Sequence, residues 1–454
     1  MIDFRLLVVG GGLAGCEAAW QAASQGVPVT LAEMRPLRTT PAHHTELLAE
    51  LVCSNSLRGA ALENAVGLLK EELARLDSVI VSSAREAAVP AGGALAVDRE
   101  RFSRLVTERV ERHPLIEVRR EEIAVIDPSR PTIIACGPLA SEALAGEIDR
   151  LVGGRLHYYD AASPIVAADS IEMTELYAAS RYGKGDGDDY LNIPLDKERY
   201  LRLVEDLRTL PRHEPKEFER DAACGTAPFF EGCLPVEVMA ERGVDTLRYG
   251  PLKPVGLRDP RTGKTPYAVV QLRRENAAGT AYNLVGFQTR LTWPAQKEAF
   301  GRLPALGRAE WLRLGVMHRN TFIQSPRLLD RQLRLREHPN IWFAGQVTGV
   351  EGYVEAAGSG AIAGLQAARA LRGEAPLELA PTTMLGCIVA YLQDETSRDF
   401  QPSNVTWANI APLPPELETR DKRERRRRLA ERALRDLEIL RATLGRTAGY
   451  EAAV

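Results

Sequence analysis

Three glycines and one acidic residue near the start of the chain have the types and spacing of a dinucleotide-binding cradle. Gly10, Gly12 and Gly15 form G-x-G-x-x-G directly after the apolar run at residues 6–9, and Glu33 ends the next apolar run. Gly10 permits a tight turn, Gly12 lets a pyrophosphate approach the backbone, and Gly15 lets the following helix pack closely on a sheet. The order of apolar run, glycine turn, helix and acidic end is what a dinucleotide site needs.

The backbone of this turn supplies the groups that hold the phosphates. Its N–H groups face the anion, and the helix dipole adds positive potential at the same place. Glu33 is expected to accept hydrogen bonds from ribose hydroxyls, and its charge would repel a 2′-phosphate, which disfavours NADP. The predicted cradle comprises Gly10, Gly11, Gly12, Leu13, Ala14, Gly15 and Glu33.

A second glycine-rich turn lies near residue 345. Residues 340–345 predict a strand, and Gly345, Gln346 and Gly352 precede a small-residue helix over 355–370. Such a turn at a helix N-terminus suits an anion or a ring oxygen of a bound cofactor. The glycines at 183–187 lack a preceding apolar run and predict a polar loop. One dinucleotide is therefore expected to stay bound, while NAD(P)H visits transiently as a reductant.

Two cysteines have contexts that suit nucleophilic chemistry. Small residues flank Cys224, which leaves its sulfur approachable, and polar residues and Arg58 follow Cys53, so that Arg58 could help to hold a thiolate. The alternative for either cysteine is that of a small buried packing residue. Cys233 stays undecided. Packing roles are expected for Cys16, Cys136 and Cys387.

Each of the other candidate groups has two possible roles, one functional and one structural. His43 and His44 suit acid–base catalysis or phosphate contacts, or are solvated loop residues. The basic run at 421–428 suits phosphate contact or a solvated helix face. Tyr353 and Trp407 suit base stacking or packing.

The elements that must position these residues follow the pattern of an α/β protein. Apolar spacing predicts helices over 63–76, from Asp98 onward and over 196–210, and a buried strand over 131–137. Residues 156–335 differ in composition and predict aromatic-rich strands. We expect a Rossmann-like FAD-binding domain with a parallel sheet and βαβ order, interrupted by an α+β insertion domain. Its predicted parts are residues 1–155, the insertion at 156–335, and 336–454.

Composition excludes several classes of protein. The 454 residues carry 58 Lys and Arg against 61 Asp and Glu, so no global positive field indicates a nucleic acid, and any RNA contact needs a local patch. The six cysteines have no metal-ligand spacing, which predicts reduced thiols and no metal site. No apolar run reaches the roughly 18 residues of a membrane span, and no signal peptide is recognised. We expect a cytoplasmic protein without a membrane partner.

Together these motifs resemble the folate- and FAD-dependent tRNA (uracil-5-)-methyltransferase (TrmFO) family. The resemblance runs over nearly the whole chain, and the contexts of Cys53 and Cys224 are not general features of flavoproteins. In that family the corresponding cysteines are the functional pair, which implies Cys224 as the nucleophile and Cys53 as its partner. The tail after about residue 420 departs from the pattern. The motifs are GGGLAGCE at 10–17, ELVCSNS at 50–56, YGPLKPVGL at 249–257, YNLVGFQTR at 282–290 and FAGQVTGVEG at 343–352.

The resemblance implies a reaction, a cofactor and partners. Uracil C5 becomes a carbon nucleophile only after a thiolate, that of Cys224, adds to C6. The enolate attacks a one-carbon unit that comes from methylenetetrahydrofolate through reduced FAD. A base, either Cys53 or a residue of the His43–His44 loop, removes the C5 proton, and a hydride completes the methyl group. The implied product is 5-methyluridine at position 54 of tRNA, so the implied partners are the tRNA T arm and folate.

Three other interpretations stay open. The FAD-dependent enzymes that modify wobble uridine in tRNA share the cradle, but they are longer and work with a GTPase partner. An FAD oxidoreductase acting on a small molecule needs no RNA, which suits the net charge of −3. An FAD-stabilised scaffold leaves both cysteine contexts unexplained. The oligomeric state does not follow from any of these patterns.

Overall fold

The computed structural model describes residues 5–40, 42–154, 156–213, 234–315, 317–396 and 400–444, with the backbone alone at 156–161 and 317–319. The strands are β1 (Leu6–Val9), β2 (Val29–Glu33), β3 (Ser56–Gly59), β4 (Ala88–Val89), β5 (Ala94–Val97), β6 (Ile116–Arg120), β7 (Thr132–Ile134), β8 (Leu156–Ala161), β9 (Ile165–Ala167), β10 (Tyr177–Ala178), β11 (Tyr190–Leu195), β12 (Ala268–Arg274), β13 (Ala281–Leu284), β14 (Trp311–Arg313), β15 (Met317–Phe322) and β16 (Ile341–Phe343). The helices are α1 (Leu13–Ser24), α2 (Ala65–Arg75), α3 (Val79–Glu86), α4 (Arg99–Arg112), α5 (Glu142–Val152), α6 (Lys197–Thr209), α7 (Val236–Arg242), α8 (Thr246–Tyr249), α9 (Trp293–Gly301), α10 (Ser325–Leu328), α11 (Tyr353–Leu371), α12 (Met384–Leu392) and α13 (Lys422–Thr443).

A five-stranded parallel sheet joins the first and last parts of the described chain. Its order is β16-β7-β1-β2-β6, and every neighbouring pair is parallel. β1, β2, β7 and β16 are buried along their length, as expected for a sheet with covered faces. The prediction of a Rossmann-like α/β fold with βαβ order is confirmed, and β16 supplies an edge strand from the C-terminal third.

A second sheet lies between these two parts in the sequence. It has six antiparallel strands in the order β10-β11-β12-β13-β9-β14. Helices α6, α7 and α9 share an apolar core with it. A two-stranded antiparallel ribbon, β8 with β15, lies where the chain leaves the first part and returns to it. The exact division at residues 155 and 335 stays a prediction.

The predicted elements differ from the observed ones mainly at their ends. Asp98 accepts a hydrogen bond from the Arg101 N–H and so caps α4, and Asp196 caps α6 in the same way through Arg199. Strand β13 ends at Leu284, two residues before Gly286, whose φ of +78° turns the chain. Within the described ranges, no helix is both long and apolar enough to cross a membrane.

Helices α1 and α11 pack with their backbones in contact. A Cβ added to Gly360 would lie 2.3 Å from the Ala14 carbonyl oxygen, and one added to Gly364 would lie 2.4 Å from the Ala18 carbonyl oxygen. Because both pairs are four residues apart, they repeat along one face of each helix. This contact joins the start of the chain to its last third and holds the two helices parallel, with the first turn of α1 against Gly360 of α11.

Substitution of Gly364 tests this contact. We expect Gly364→Ala to lower the free energy of unfolding by about 1–3 kcal/mol, because the added methyl overpacks against backbone that cannot move aside. Gly146→Ala is the matched control, since Gly146 is exposed in α5 and a Cβ there meets nothing within 4 Å. That control should gain about 0.5–1 kcal/mol. Urea denaturation followed by circular dichroism measures both, and equal stability of the two variants would contradict the role of the contact.

Candidate functional site

Close backbone contacts shape the turn at the carboxyl end of β1. Gly10 has φ of +105°, and a Cβ there would lie 2.6 Å from the Ala135 carbonyl oxygen. A Cβ on Gly15 would lie 1.8 Å from the Gly10 carbonyl oxygen. Packing alone therefore requires glycine at both positions, and α1 begins directly after the turn.

Gly12 differs because nothing in the fold requires glycine there. It is the N-cap of α1, with extended backbone that any residue adopts (φ −76°, ψ −172°). A Cβ at this position would meet no atom within 4 Å. The open space lies at a helix N-terminus, where unpaired N–H groups and the helix dipole favour an anion. Glycine at this position leaves room for a ligand, and a dinucleotide pyrophosphate fits the site.

A cleft runs along the carboxyl ends of β1, β2, β7 and β16. Ligands of open parallel sheets bind at this edge. Seven of the ten residues predicted to hold the cofactor line it: Gly10, Gly12, Leu13, Ala14, Glu33, Gly345 and Gln346. Gly11, Gly15 and Gly352 lie just behind the lining. Gly11 packs on Leu48 and Glu33, and Gly352 directly precedes the lining residue Tyr353.

Both carboxylate oxygens of Glu33 accept hydrogen bonds. Oε2 accepts from the Gly11 N–H at 2.8 Å, and Oε1 accepts from the N–H and the Nε of Arg35 at 3.0 and 2.9 Å. Burial acts to raise the pKa of Glu33, but the hydrogen bonds from Arg35 and Gly11 outweigh it and hold the pKa below its ordinary value. The carboxylate is therefore ionised and fixed at the cleft wall, with lone pairs left for ribose hydroxyls.

The loop at 35–50 contributes the candidate His43 and two site residues that the sequence analysis missed, Arg35 and Glu50. The buried Arg35 also pairs with Glu50 at 3.0 Å, and both residues line the cleft. His43 lines it too, with Nδ1 2.6 Å from the Thr40 hydroxyl. Burial, and then the Arg35 charge, lower the pKa of His43 to about 4, so its ring is neutral at pH 7. The sequence clue that could have identified Arg35 was its position two residues after Glu33.

The second glycine-rich turn is fastened to α11. Gly345 has φ of +83°, and its N–H donates to the Ser359 hydroxyl at 2.8 Å. The Gln346 amide donates to Glu351 at 2.9 Å, and Gly352, with φ of +107°, is the N-cap of α11. The first turn of α11 therefore reaches the cleft beside the first turn of α1, and two helix N-termini face the same ligand space.

Cys53 lies directly beside the cleft. Val52 and Tyr353 line the cleft, and the Cys53 N–H donates to the Tyr353 hydroxyl at 2.8 Å. Burial raises the pKa of Tyr353, which keeps its hydroxyl protonated. Arg58, which was expected near the thiol, forms an ion pair with the buried Glu355. The cleft and the loop that carries Cys53 therefore share a wall.

Three other arginines hold the Cys53 loop, and their roles were not foreseen. Arg99 donates to the Cys53 carbonyl oxygen at 2.8 Å and also to that of Leu51. Arg313 of β14 donates to the Val52 carbonyl oxygen at 2.6 Å. Arg273 of β12 donates to Asn55 Oδ1 and Ser54 Oγ at 2.9 and 3.1 Å. Since two of the three come from the six-stranded sheet, no local pattern around Cys53 could have identified them.

Glu275 balances part of this positive charge. Its carboxylate contacts Arg99 and the Asn283 amide, and its side chain is 6% exposed. Three guanidinium groups and one carboxylate therefore surround the main chain of residues 51–55. The excess positive charge favours an anion in this loop.

The remaining cysteines have different positions. Cys224 and Cys233 lie outside the described residues. Cys16 and Cys387 are buried as expected, and burial raises the pKa of both thiols, that of Cys387 to about 12. Cys136 packs partly on the core but also lines the cleft, so the expectation of a packing role alone was incomplete.

The other candidate groups lie apart from the cleft. His44 is exposed, and its backbone N–H donates to Glu50 at 2.8 Å. The half-buried Trp407 donates to the Glu63 carbonyl oxygen at 3.0 Å, and Arg423 of α13 pairs with the Glu63 carboxylate. In the part of the chain that the structure describes, no cluster of His, Cys, Asp and Glu could hold a metal ion.

Gly12 gives a direct test of the cradle. We expect Gly12→Val to stay folded and to lose at most about 1–2 kcal/mol of unfolding free energy, because the fold leaves space for the side chain and only the N-cap preference is lost. The same variant should lose at least about tenfold in affinity for FAD, because the side chain occupies the space of the pyrophosphate. Flavin absorbance after dialysis and titration with FAD measure this loss. Gly146→Ala is the control, and unchanged flavin content in Gly12→Val would refute the assignment.

His43 gives a pH test. Its pKa is about 4 in the folded chain against an ordinary 6.5, so the unfolded state binds more protons between these values. Stability from this residue is therefore fully present above pH 6.5 and is lost as the pH falls toward 4. We expect the unfolding free energy of His43→Gln to decline less than that of the wild type over this range in urea titrations. Parallel curves would contradict the neutral, buried ring.

Comparisons with known proteins agree on one family. The family model for Glucose inhibited division protein A matches residues 5–375. The fold is similar to that of Aquifex aeolicus GidA in its form II crystal, with a TM-score of 0.68 and 14% identity over 96% of this chain and 73% of that chain. At this identity, the likeness shows the fold alone.

Close relatives in sequence share one name, methylenetetrahydrofolate--tRNA-(uracil-5-)-methyltransferase TrmFO. The protein of Geobacter sulfurreducens is 56% identical over 437 residues, which is 96% of this chain and 99% of that protein. The protein of Heliobacterium modesticaldum is 56% identical over 432 residues, which is 95% of this chain and 96% of that protein. The chain therefore belongs to the TrmFO family of methylenetetrahydrofolate--tRNA-(uracil-5-)-methyltransferases.

Proposed function

We propose that this protein methylates C5 of a uracil in tRNA, at the T-loop uridine, with FAD as cofactor and methylenetetrahydrofolate as carbon donor. One observation carries the proposal: the Cys53 loop forms part of the wall of a dinucleotide cleft. Val52 and Tyr353 line that cleft, and Tyr353 accepts a hydrogen bond from Cys53. A dehydrogenase needs no thiol there, whereas methylation at C5 of uracil requires nucleophilic help from a group such as a thiolate.

The residues of the cleft fit FAD. Gly12 leaves room for a pyrophosphate, the ionised Glu33 faces the ribose position, and the Gly345–Gly352 turn adds a second helix N-terminus. When bound in its reduced form, FAD carries the one-carbon unit from folate and supplies a hydride. The sequence holds a single strand-linked G-x-G-x-x-G, which suits transient reduction by NAD(P)H.

The cysteine pair supplies the covalent chemistry. The Cys224 thiolate adds to uracil C6, and the electron pair of the C5=C6 bond becomes an enolate that attacks the one-carbon unit. Cys53 takes the C5 proton. The bond between the one-carbon unit and its carrier then breaks, which leaves an exocyclic methylene on C5. A hydride then reduces that carbon to methyl and expels Cys224 as a thiolate. His43 also lines the cleft, but burial and the Arg35 charge lower its pKa to about 4, which makes its ring a weak base and favours Cys53 for this step.

The surroundings of Cys53 support its part in this scheme. Arg99 and Arg313 hold the carbonyl groups of residues 51–53, which fixes the loop and brings positive charge to it. An anionic thiolate is more stable near such charge. Because the scheme needs reduced thiols, we place the reaction in the cytoplasm.

Label transfer tests the function. The purified holoprotein receives methylenetetrahydrofolate labelled in its one-carbon unit, together with NAD(P)H and unmodified tRNA. We expect label in the T-loop uridine as 5-methyluridine, located by nuclease digestion and mass spectrometry. Label at the wobble position would favour the other tRNA reaction, and flavin turnover without transfer to tRNA would favour a small-molecule oxidoreductase. Methyl label arriving from S-adenosylmethionine alone would overturn the proposal.

Replacement of single cysteines tests the roles. We expect Cys224→Ala to keep its flavin spectrum and to lose methylation by at least about 10³-fold, because the uracil C5 is then never activated. Cys387→Ala is the matched control, since this thiol is buried in α12 away from the cleft, and it should keep activity. Full activity of Cys224→Ala in the label-transfer assay would remove Cys224 from the mechanism.

A further inference from the structure

Two segments beside the six-stranded sheet carry exposed tyrosines: Tyr182 lies before β11, and Tyr249 is the last residue of α8. Tyr182 is 62% exposed and Tyr249 is 81% exposed, and they are the only exposed tyrosines among the described residues. Val255, whose carbonyl oxygen accepts a hydrogen bond from Arg181, is 50% exposed. Solvent-exposed aromatic rings are available for stacking on a partner. We use the name corner surface for six residues of these two segments, which contact each other through Tyr182 and Gly256: Tyr182, Lys184, Tyr249, Lys253, Val255 and Arg258.

The loop that carries Tyr182 is hydrogen-bonded to the loop that follows Tyr249. The Tyr182 N–H donates to the Gly256 carbonyl oxygen at 3.0 Å, and Arg181 donates to the Val255 carbonyl oxygen. Gly256 has φ of +83°, and a Cβ there would lie 2.7 Å from the Tyr182 ring. Tyr182 itself has φ of +59°, a conformation that costs a tyrosine free energy. The ring of Tyr182 therefore packs against Gly256 while most of it stays exposed to solvent. Burial of apolar surface does not explain this position.

The corner surface has more cations than carboxylates. Residues 181–189 contain two Lys and Arg and three Asp, of which Asp189 accepts a hydrogen bond from the Gly92 N–H. Residues 181–189 and 248–264 together contain seven Lys and Arg and four Asp. Residues 248–264 contain five Lys and Arg against a single Asp, and that residue, Asp259, pairs with Arg261 at 2.8 Å. Within the described chain, Lys184, Lys253 and Arg258 form no ion pair. Free cations beside exposed rings are the combination that binds single-stranded nucleic acid.

The basic helix α13 is different, although its sequence is denser in arginine. Arg423 pairs with Glu63, Arg425 pairs with Glu418, and Arg427 pairs with Glu424 and Glu431. These carboxylates offset part of its charge, although Lys422, Arg426 and Arg435 form no ion pair among the described residues. Helix α13 carries no aromatic residue, whereas the corner surface combines exposed rings with unpaired cations, and this difference favours the corner surface for single-stranded RNA.

The corner surface adjoins the Cys53 loop through the six-stranded sheet. The loop at 181–189 leads into β11, whose first residue, Tyr190, pairs with Arg273 of β12. Arg273 donates to Ser54 and Asn55, next to Cys53, and the Tyr190 hydroxyl donates to the Ala91 carbonyl oxygen at 3.0 Å. A long ligand on the corner surface therefore lies against the same part of the molecule that holds the thiol.

We propose that the corner surface binds the tRNA substrate, with unpaired bases stacking on Tyr182 and Tyr249 and phosphates contacting Lys184, Lys253 and Arg258. This inference rests on the proposed function, since it names the surface by which the same site receives its RNA. RNA loops are recognised by aromatic stacking of splayed bases, and the phosphate contacts add affinity that falls with salt.

Binding of unmodified tRNA to the holoprotein tests the proposal by fluorescence anisotropy at several salt concentrations. The double variant Tyr182→Asn, Tyr249→Ala should raise the Kd about tenfold or more, and the double Phe variant should restore it, because stacking needs the ring. Asn at 182 tolerates the positive φ. The triple variant Lys184→Ser, Lys253→Ser, Arg258→Ser should reduce the slope of log Kd against log salt by about two to three.

The triple variant Arg423→Ser, Arg425→Ser, Arg427→Ser is the matched control, because it removes the same charge from α13. It should change the Kd less than about threefold, and flavin absorbance checks that each variant is folded. Wild-type affinity in both corner variants would overturn this inference while leaving the methylation intact, as would an equal loss in the control. A changed oligomeric state with unchanged tRNA affinity would make the surface a protein interface, which also refutes it. Absence of tRNA binding by the wild type would instead defeat the proposed function.

Discussion

The contact between α1 and α11 is the constraint on which the rest of the structure depends. Gly360 and Gly364 lie against backbone atoms of Ala14 and Ala18, so the two helices approach as closely as their main chains allow. The contact places the first turns of both helices at one edge of the parallel sheet. The cleft exists because helix N-termini from the two ends of the chain meet there.

Glycines in this protein have two separate physical roles. At Gly10, Gly15 and Gly360 a Cβ would meet backbone, so packing alone explains the residue. At Gly12 a Cβ would meet nothing, and the backbone angles suit any residue. Only the second kind of glycine indicates a ligand, because a position that the fold leaves unconstrained needs another reason for its small size.

The cationic side chains also fall into two groups, those that have a partner within the described part of the protein and those that do not. Arg99, Arg273 and Arg313 are committed to the Cys53 loop, and the arginines of α13 are largely committed to carboxylates. The six-stranded sheet thus has two functions in this structure. Arginines of β12 and β14 hold the loop that carries Cys53. The corner surface carries exposed tyrosine rings and cations that form no ion pair with any described residue.

The sequence by itself determined the glycine turn and the parallel sheet, since those depend on local order: strand, glycine turn, helix and acid within about 30 residues. Asp98 as a helix cap was predictable for the same reason. The sequence also determined the family, through motifs spread from residue 10 to residue 352. Only the tertiary structure showed that Arg273 and Arg313 hold the Cys53 loop, because more than 200 positions separate them from it in the chain. It also decided which cations are free, since an ion pair depends on distance in space and not on the density of charge in the sequence.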